Sequence, residues 1–271
     1  MTHSPPYARA TEAAARLARL TGADKHQVGL VLGSGWLPAV DALGRTVAEL
    51  ATTDLPGFAA PGVEGHAGRV RSVEIGGTGG SGRRALVFVG RTHLYEGHGV
   101  EPVVHGVRTA VAAGCETIVL TNGCGGLDPA WSPGTAVLIS DHINLTATSP
   151  LAGPRFVDLT DLYSRRLREV AHEVEPDLVE GVYVQFPGPH YETPAEIAMV
   201  RAMGGTLVGM STALEAIASR EMGAEVLGLS LVTNHAAGVD DRPLDHDEVL
   251  ATGQASAHRM GGLLGRLLPR L

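Results

Sequence analysis

Short runs rich in Val, Ile and Leu alternate with helical patterns along the whole 271-residue chain. Such continuous apolar runs are typical of strands that helices cover on both faces, an arrangement found mainly in parallel sheets. Strands are predicted at 27–33, 70–76, 84–90, 116–121, 135–140, 181–186, 206–210 and 225–233. Helices are predicted at 8–20 and near 101–113, 160–174, 194–203, 213–222 and 246–268. The pattern predicts an α/β fold in which helices flank a mixed, mostly parallel central sheet. One domain is expected over 1–271, with an N-terminal helical segment over 1–24.

Composition and charge exclude several classes of protein. The net charge of −8 argues against nucleic acid as a partner, because binding a phosphate backbone requires clustered Lys and Arg. No apolar run approaches the roughly 18–20 residues that cross a membrane, so no membrane partner is expected. The two cysteines, Cys115 and Cys124, form no disulfide framework and no CxxC motif. We therefore expect a cytoplasmic protein.

Polar groups follow five of the predicted apolar strands. They are Ser34, Arg91, Asn122, Ser211 and Asn234. Ligands of open α/β sheets bind outside the carboxyl ends of the strands, so these groups converge on one crevice if the strands are neighbours. Any one of them alone is more often a cap or a turn residue.

Part of this set has the chemistry of an anion site. Arg91 can grip an oxyanion with two donors, and His93 shares its face if the chain stays extended. Ser34 lies between Gly33 and Gly35, where backbone amides can approach an anion closely. Ser211 precedes a helix start, whose orphan amides and dipole also favour anions. The set predicts a phosphate pocket.

A second part has the chemistry of a base reader. The carboxylate of Glu192 can accept hydrogen bonds from purine N–H groups, and the amide of Asn234 can both donate and accept. Glu192 precedes a helix start marked by Thr193, Pro194 and Glu196, so the helix dipole is expected to keep it ionised. Taken alone, Glu192 would be interpreted as a surface acid of a first helical turn.

These residues lie in segments that resemble the trimeric purine nucleoside phosphorylases, most closely their actinobacterial members. The resemblance covers about residues 25–262 and rests on VLGSG (31–35), EGHAGRV (64–70), GRTHLYEGHG (90–99), TNGCGGL (121–127), DHINLT (141–146), GPHYETPAE (188–196), VGMSTALEA (208–216) and LVTNHAAG (231–238). It implies a single-domain phosphorylase/hydrolase-like fold and a homotrimer. It also implies cleavage of purine nucleosides by inorganic phosphate, with no metal and no organic cofactor.

The resemblance also implies roles for individual residues. Phosphate would contact Ser34, His66, Arg91, His93, the backbone of Gly123 and Ser211, with Glu96 orienting the basic groups. Tyr95 and Met210 would line the ribose, His246 would approach its 5′-hydroxyl, Tyr191 and Val208 would sandwich the base, and Glu192 and Asn234 would read its edge. Phe156 would close the site of a neighbouring subunit. The expected catalytic groups are His93, Glu192 and Asn234.

Several positions depart from the family pattern. His235 stands where relatives carry Lys or an apolar residue, so it is a candidate modulator of base preference. Trp36 and Cys124 replace smaller residues near the phosphate loop, and His190 replaces a familiar Ser. The histidines at 66, 93 and 98 match no zinc spacing, so no metal is expected.

Other functions stay open at this point. The amide of Asn234 can turn to satisfy a 6-oxopurine, whereas relatives acting on methylthioadenosine carry Asp there, so inosine and guanosine are the expected substrates. The alternatives are a methylthioadenosine phosphorylase, a nucleosidase that uses water, and a non-catalytic nucleoside or phosphate sensor.

Overall fold

The computed structural model describes residues 6–59, 68–76, 82–240 and 246–271, the side chain of His246 excepted. Its helices are α1 (Pro6–Thr21), α2 (Val100–Ala112), α3 (Arg165–Val174), α4 (Pro194–Ala202), α5 (Ala213–Glu221) and α6 (His246–Leu267). Its strands are β1 (Val28–Leu32), β2 (Arg45–Ala51), β3 (Arg69–Glu74), β4 (Arg84–Val89), β5 (Thr117–Gly126), β6 (Ala136–Asn144), β7 (Val179–Gln185), β8 (Leu207–Gly209) and β9 (Glu225–His235). The predicted α/β alternation is confirmed.

The strands described form one mixed sheet in the order β2-β3-β4-β1-β5-β8-β7-β6-β9. Strand β9 pairs with β5 as well as with β6, so one half of the sheet curls back on itself. The central pairs β1–β4, β1–β5 and β5–β9 are parallel, whereas β2–β3 and β3–β4 at one edge are antiparallel. This topology places β4, β1, β5 and β9 side by side.

Both faces of the sheet are buried, because successive strand residues point to opposite sides. Ile118 of β5 packs with residues of α1, α2 and α5 in one apolar cluster. Its neighbour Val119 packs with residues of α3 and α6 in a second cluster. All five residues of β1 are buried, which explains the absence of polar alternation in that run.

Three differences from the predicted strands and helices have a clear structural reason. The half-exposed strand β2 was not predicted, since its charged and Ala-rich sequence has no apolar run and pairing with β3 stabilises it. Strand β5 continues to Gly126 rather than ending at Thr121, because β8 and β9 pair with its glycine-rich end. Helix α3 begins at Arg165 rather than near 160, because Ser164 caps it and Tyr163 bridges to Val226.

The capping box predicted at Thr193 is confirmed. Thr193 N donates to Glu196 Oε2 at 2.7 Å, and Glu196 N donates to Thr193 Oγ1 at 3.2 Å. In the part of the chain that the structure describes, none of the helices has the length and apolar character of a membrane span.

Candidate active site

A cavity of about 350 Å³ lies where β1, β4, β5, β8 and β9 meet. Its volume is in the range of small-molecule sites. All five polar groups that follow predicted strands line it, namely Ser34, Arg91, Asn122, Ser211 and Asn234. His93, Tyr95, Gly123, Tyr191, Glu192, Val208 and Met210 line it as well. Asn122 has no predicted role. The other eleven belong to the fourteen residues for which the sequence analysis predicts a catalytic, phosphate-binding or nucleoside-binding role, so the structure brings most of that set to one place.

The other three predicted site residues are not in this lining. His66 and the side chain of His246 lie outside the described residues. Phe156 lies on the surface with 96% of its area exposed.

Arg91 is held by two partners deep in the fold. Its Nε donates to both carboxylate oxygens of Glu215, at 3.0 and 3.2 Å, and its Nη1 donates to the carbonyl of Thr121 at 2.6 Å. The side chains of Arg91 and Glu215 are each 2% exposed. The guanidinium therefore enters the cavity lining in a single orientation.

Gly33 makes room for this arginine. A Cβ atom at Gly33 would overlap Arg91 Nη1 and would lie 2.5 Å from the carbonyl oxygen of Thr121. Thr121 also accepts from the Gly33 amide at 3.1 Å through its hydroxyl. A residue with a side chain at position 33 would displace the guanidinium.

The expectation of free helix amides beside Ser211 was wrong. Gln185 Oε1 accepts from the amides of Ala213 and Leu214, at 2.8 and 3.4 Å. The amide of Thr212 donates to Glu215 Oε2 at 3.1 Å. An anion at this point would therefore meet the Ser211 hydroxyl rather than unsatisfied amides of α5.

His93 and Tyr95 form a stacked pair at the cavity wall, with ring centroids 4.6 Å apart. The His93 amide donates to Glu96 Oε1 at 2.6 Å, and His93 Nδ1 lies 3.5 Å from the same oxygen. Burial raises the pKa of Tyr95 to about 12, so its phenol stays neutral. Glu96 thus holds His93, whereas Arg91 is held by Glu215.

Glu215 does not line the cavity but holds Arg91, which does, and the sequence analysis did not predict this role. Its only sequence signal was a Thr212-x-x-Glu pattern, which is typical of a helix start. Nothing local in the sequence indicates that its carboxylate reaches an arginine that lies 124 positions earlier.

Glu192 is a buried carboxylate of the cavity lining. Among the described residues, its Oε1 has no hydrogen-bond partner. Burial raises the pKa of the Glu192 carboxyl above its ordinary value, and the nearby Glu196 carboxylate acts in the same direction. Desolvation thus shifts the pKa in the direction opposite to that expected from the helix dipole, and the ionisation of Glu192 stays a prediction.

Asn234 reaches the cavity because of a β-bulge. Cys124 pairs with Val232 while the next residue, Gly125, pairs with Asn234, so Thr233 is the extra residue of β9. Bulges re-aim side chains, and both Thr233 and Asn234 line the cavity. Strand β5 continues past Asn122 to Gly126, and β9 continues past Asn234 to His235. Both asparagines therefore lie within strands and not after strand ends.

The amide of Asn234 has one favoured orientation. Nδ2 donates to the carbonyl of His235 at 2.8 Å, and Oδ1 lies 2.9 Å from Thr233 Oγ1. The predicted freedom of this amide to turn is not met, since a flip would place Oδ1 against the carbonyl oxygen of His235. In this orientation Nδ2 keeps one N–H that the His235 carbonyl does not use.

The positions that depart from the family pattern have structural partners. His235 lies outside the cavity lining, and its Nδ1 is 3.0 Å from Asp240 Oδ2. Trp36 is fully buried and donates from Nε1 to the carbonyl of Asn122 at 2.8 Å. Burial raises the pKa of the Cys124 thiol to about 12, so that thiol is inert.

Among the described residues, no three or more His, Cys, Asp or Glu side chains are grouped so that they could hold a metal ion. The lining residues form two chemical sets. Arg91, Ser34, His93 and Ser211 suit an anion and are called the phosphate end below, and Glu192 and Asn234 suit the edge of a base and are called the base end.

Comparison with known proteins agrees with this arrangement. The model of the Phosphorylase superfamily matches residues 27–269. A purine nucleoside phosphorylase of Cellulomonas sp is 59% identical over 98% of this chain and 94% of its own length. That of Mycobacterium tuberculosis is 57% identical over 98% and 97%. The resemblance to actinobacterial members is confirmed.

A solved structure supports the same assignment. The purine nucleoside phosphorylase of Schistosoma mansoni in complex with inosine superposes with a TM-score of 0.87 at 31% identity, covering 97% of this chain and 96% of that one. Sequence and fold thus agree over nearly the whole length, and the chain belongs to the Phosphorylase superfamily as one of its purine nucleoside phosphorylases.

Proposed function

We propose that the chain cleaves inosine- and guanosine-type ribonucleosides and deoxyribonucleosides with inorganic phosphate, releasing the purine and (deoxy)ribose 1-phosphate. The observation that carries the proposal is that one cavity of about 350 Å³ is lined both by the arginine of the phosphate end and by the buried carboxylate of the base end. Phosphate fits the first end and a purine edge fits the second. No metal or organic cofactor takes part in the proposed reaction.

Phosphate is proposed to bind Arg91, Ser34, His93, Ser211 and the backbone at Gly123. A Cβ at Gly123 would lie 3.0 Å from the carbonyl oxygen of Ser34, a tight contact, so glycine lets this backbone segment lie beside Ser34 without displacing it. His66 is proposed to border the same pocket.

The nucleoside is proposed to lie between this anion and the buried Glu192. Tyr95 and Met210 line the ribose, Tyr191 and Val208 lie on the two faces of the base, and His246 approaches the 5′-hydroxyl. Glu192 Oε1 is an acceptor that the described residues leave unsatisfied. The N1–H of a 6-oxopurine supplies the missing donor, because a buried acceptor without a partner costs free energy.

The glycosidic bond breaks with oxocarbenium character at C1′, as in glycoside cleavage generally. The phosphate oxygen attacks C1′, and the bonding electrons leave with the purine. The chain's task is to position the phosphate and to stabilise charge as it develops. Asn234 Nδ2 donates to N7 while negative charge grows on the base.

The donor at Asn234 also favours a 6-oxo substituent over a 6-amino substituent. The one N–H of Nδ2 that the His235 carbonyl does not use can be shared between N7 and an oxygen at C6, whereas an amino group at C6 would place two donors against each other. This argues against the methylthioadenosine phosphorylase alternative. A nucleosidase that uses water would have no use for Arg91, and a sensor would have no use for a donor at N7.

We propose a homotrimer in which Phe156 closes the site of a neighbouring subunit. The Phe156 side chain is 96% exposed in the single chain, so it is accessible for an intersubunit contact. The free thiols of Cys115 and Cys124 suit a cytoplasmic location, which is part of the same proposal.

The decisive experiment measures hypoxanthine release from inosine, with and without inorganic phosphate, in metal-free buffer. Phosphate-dependent release with formation of ribose 1-phosphate is expected. Release without phosphate would establish a hydrolase, and no release from folded protein would direct the test to methylthioadenosine.

A further inference from the structure

Glu215 joins two segments of the cavity wall that are far apart in sequence. Its carboxylate pairs with Arg91, which follows β4, and with the turn at 211–212, which precedes α5. We propose that Glu215 is a positioning residue that holds Arg91 and this turn in the geometry that binds phosphate.

The pair with Arg91 is buried and has defined geometry. Both side chains are 2% exposed, and Arg91 Nε lies 3.0 and 3.2 Å from the two carboxylate oxygens. Removing one member of such a pair leaves an uncompensated buried charge. Without Glu215, Arg91 would keep its contact with the Thr121 carbonyl but would lose the partner that orients its Nε edge.

The pair with the turn holds a strained backbone. Thr212 has φ of +83°, a conformation that residues with side chains rarely adopt. Glu215 Oε2 accepts from the Thr212 amide at 3.1 Å, while Asn122 Nδ2 donates to Thr212 Oγ1 at 2.9 Å. Strained residues persist where the surroundings over-determine them, and they cluster at functional sites. Here the strain presents Ser211 to the cavity.

Capping alone does not account for Glu215. Its bond to the Thr212 amide is half of a capping box, but a capping box does not require an arginine partner, and the same carboxylate also accepts from Arg91 Nε through both of its oxygens. Pairing in general does not account for it either, because Glu221 at the last turn of the same helix pairs with Arg155 and Tyr7, neither of which lines the cavity. Unlike the partners of Glu221, those of Glu215 belong to the phosphate end, because Arg91 lines the cavity and Thr212 follows the lining residue Ser211.

The inference rests on the proposed function, since it takes phosphate as the anion. Its test is Glu215→Gln, which keeps the side-chain volume and removes the charge and one acceptor. Misplacing a binding group by about 1 Å can cost about 10²-fold, so kcat/KM for phosphate should fall by about that factor. KM for inosine should change little. Inorganic phosphate should also raise the melting temperature of the wild type but not that of the variant.

The matched control is Glu221→Gln, the same change in a buried, ion-paired carboxylate of the same helix. It should lower the melting temperature and leave KM for phosphate at the wild-type value. A purely structural role of Glu215 would make the two variants behave alike.

Folded Glu215→Gln with a wild-type KM for phosphate would overturn the inference. If this variant does not fold, Glu215→Asp is used, which keeps the charge but is too short for both contacts. A wild-type KM for phosphate, or failure to fold, in Glu215→Asp would reduce Glu215 to a structural residue. Phosphate-independent cleavage by the wild type would instead refute the proposed function, so the two failures are distinguishable.

Discussion

The two ends of the cavity differ in how far the chain completes its own hydrogen bonds. At the phosphate end, Glu215 and Thr121 hold Arg91, and Gln185 satisfies the first amides of α5. At the base end, Glu192 is buried and its Oε1 has no partner among the described residues. Arg91 is therefore oriented before any ligand arrives, whereas Glu192 Oε1 needs a ligand to supply its donor.

This difference separates positioning from recognition. Preorganised donors cost no reorganisation when the reaction occurs, which suits a group that holds the nucleophile. An unsatisfied acceptor strongly favours the ligand that supplies its donor, which suits the choice of a base. Changes at the two ends should therefore alter different kinetic constants.

The largest expected effect is that of Asn234→Ala. Loss of one preorganised donor to a developing negative charge typically costs about 10²–10³-fold in rate, so kcat with inosine should fall by that factor. KM for phosphate should stay near the wild-type value, because Arg91 and its partners are untouched. Steady-state rates at varied phosphate measure both constants. Near wild-type turnover on inosine would refute the role of Asn234.

The next effect is that of Glu192→Gln. A hydrogen bond to a charged group contributes about 1.5–3 kcal/mol, so KM for inosine should rise by about 10- to 100-fold. KM for phosphate is the internal control, because Glu192 belongs to the base end and not to the phosphate end. An equal rise in both constants would show that the two ends are not separate.

The pH dependence of KM for inosine also tests the role of Glu192 in binding the base. Its raised pKa means that it takes up a proton at a higher pH than an exposed glutamate does. KM for inosine should therefore rise as the pH falls through that pKa, and this rise should be absent in Glu192→Gln. The stability of the ligand-free protein should change with pH in the opposite direction. Stability should be lost as the pH rises through the raised pKa, because the charged form is then buried without its donor, and Glu192→Gln should remove this loss.

A smaller effect is expected for Asn234→Asp. In the wild type, the His235 carbonyl accepts from Asn234 Nδ2 at 2.8 Å. A carboxylate oxygen at that place would face the carbonyl oxygen and could not donate. The variant should lose one hydrogen bond to a 6-oxopurine, so the inosine-to-adenosine ratio of kcat/KM should fall by about 10-fold. An unchanged ratio would contradict the hydrogen-bond argument.

The smallest effect is expected for Phe156→Ala, which affects neither end directly. In the proposed trimer, KM for inosine should rise a few-fold while KM for phosphate stays constant. Leu20→Ala is the control, since it removes an exposed apolar side chain of α1. Light scattering should show a trimer, and a monomer would remove the intersubunit role of Phe156.

Local sequence signals were sufficient for much of the fold and for most of the cavity. The buried run of β1 and the box at Thr193 and Glu196 were predictable, because apolar continuity and capping depend on neighbouring residues. Strand β2 and the glycine-rich end of β5 were not, because only pairing with other strands stabilises them.

The α/β alternation, the family and the polar groups of the cavity were predictable from the sequence, because they follow from residue types at fixed spacings. How these groups are held depends on the folded chain. The bulge at Thr233 sets the direction of Asn234, burial raises the pKa of Glu192, and Glu215 reaches Arg91 from 124 positions away. The physical reason is that desolvation and long-range pairing depend on what the folded chain brings together, which no local pattern records.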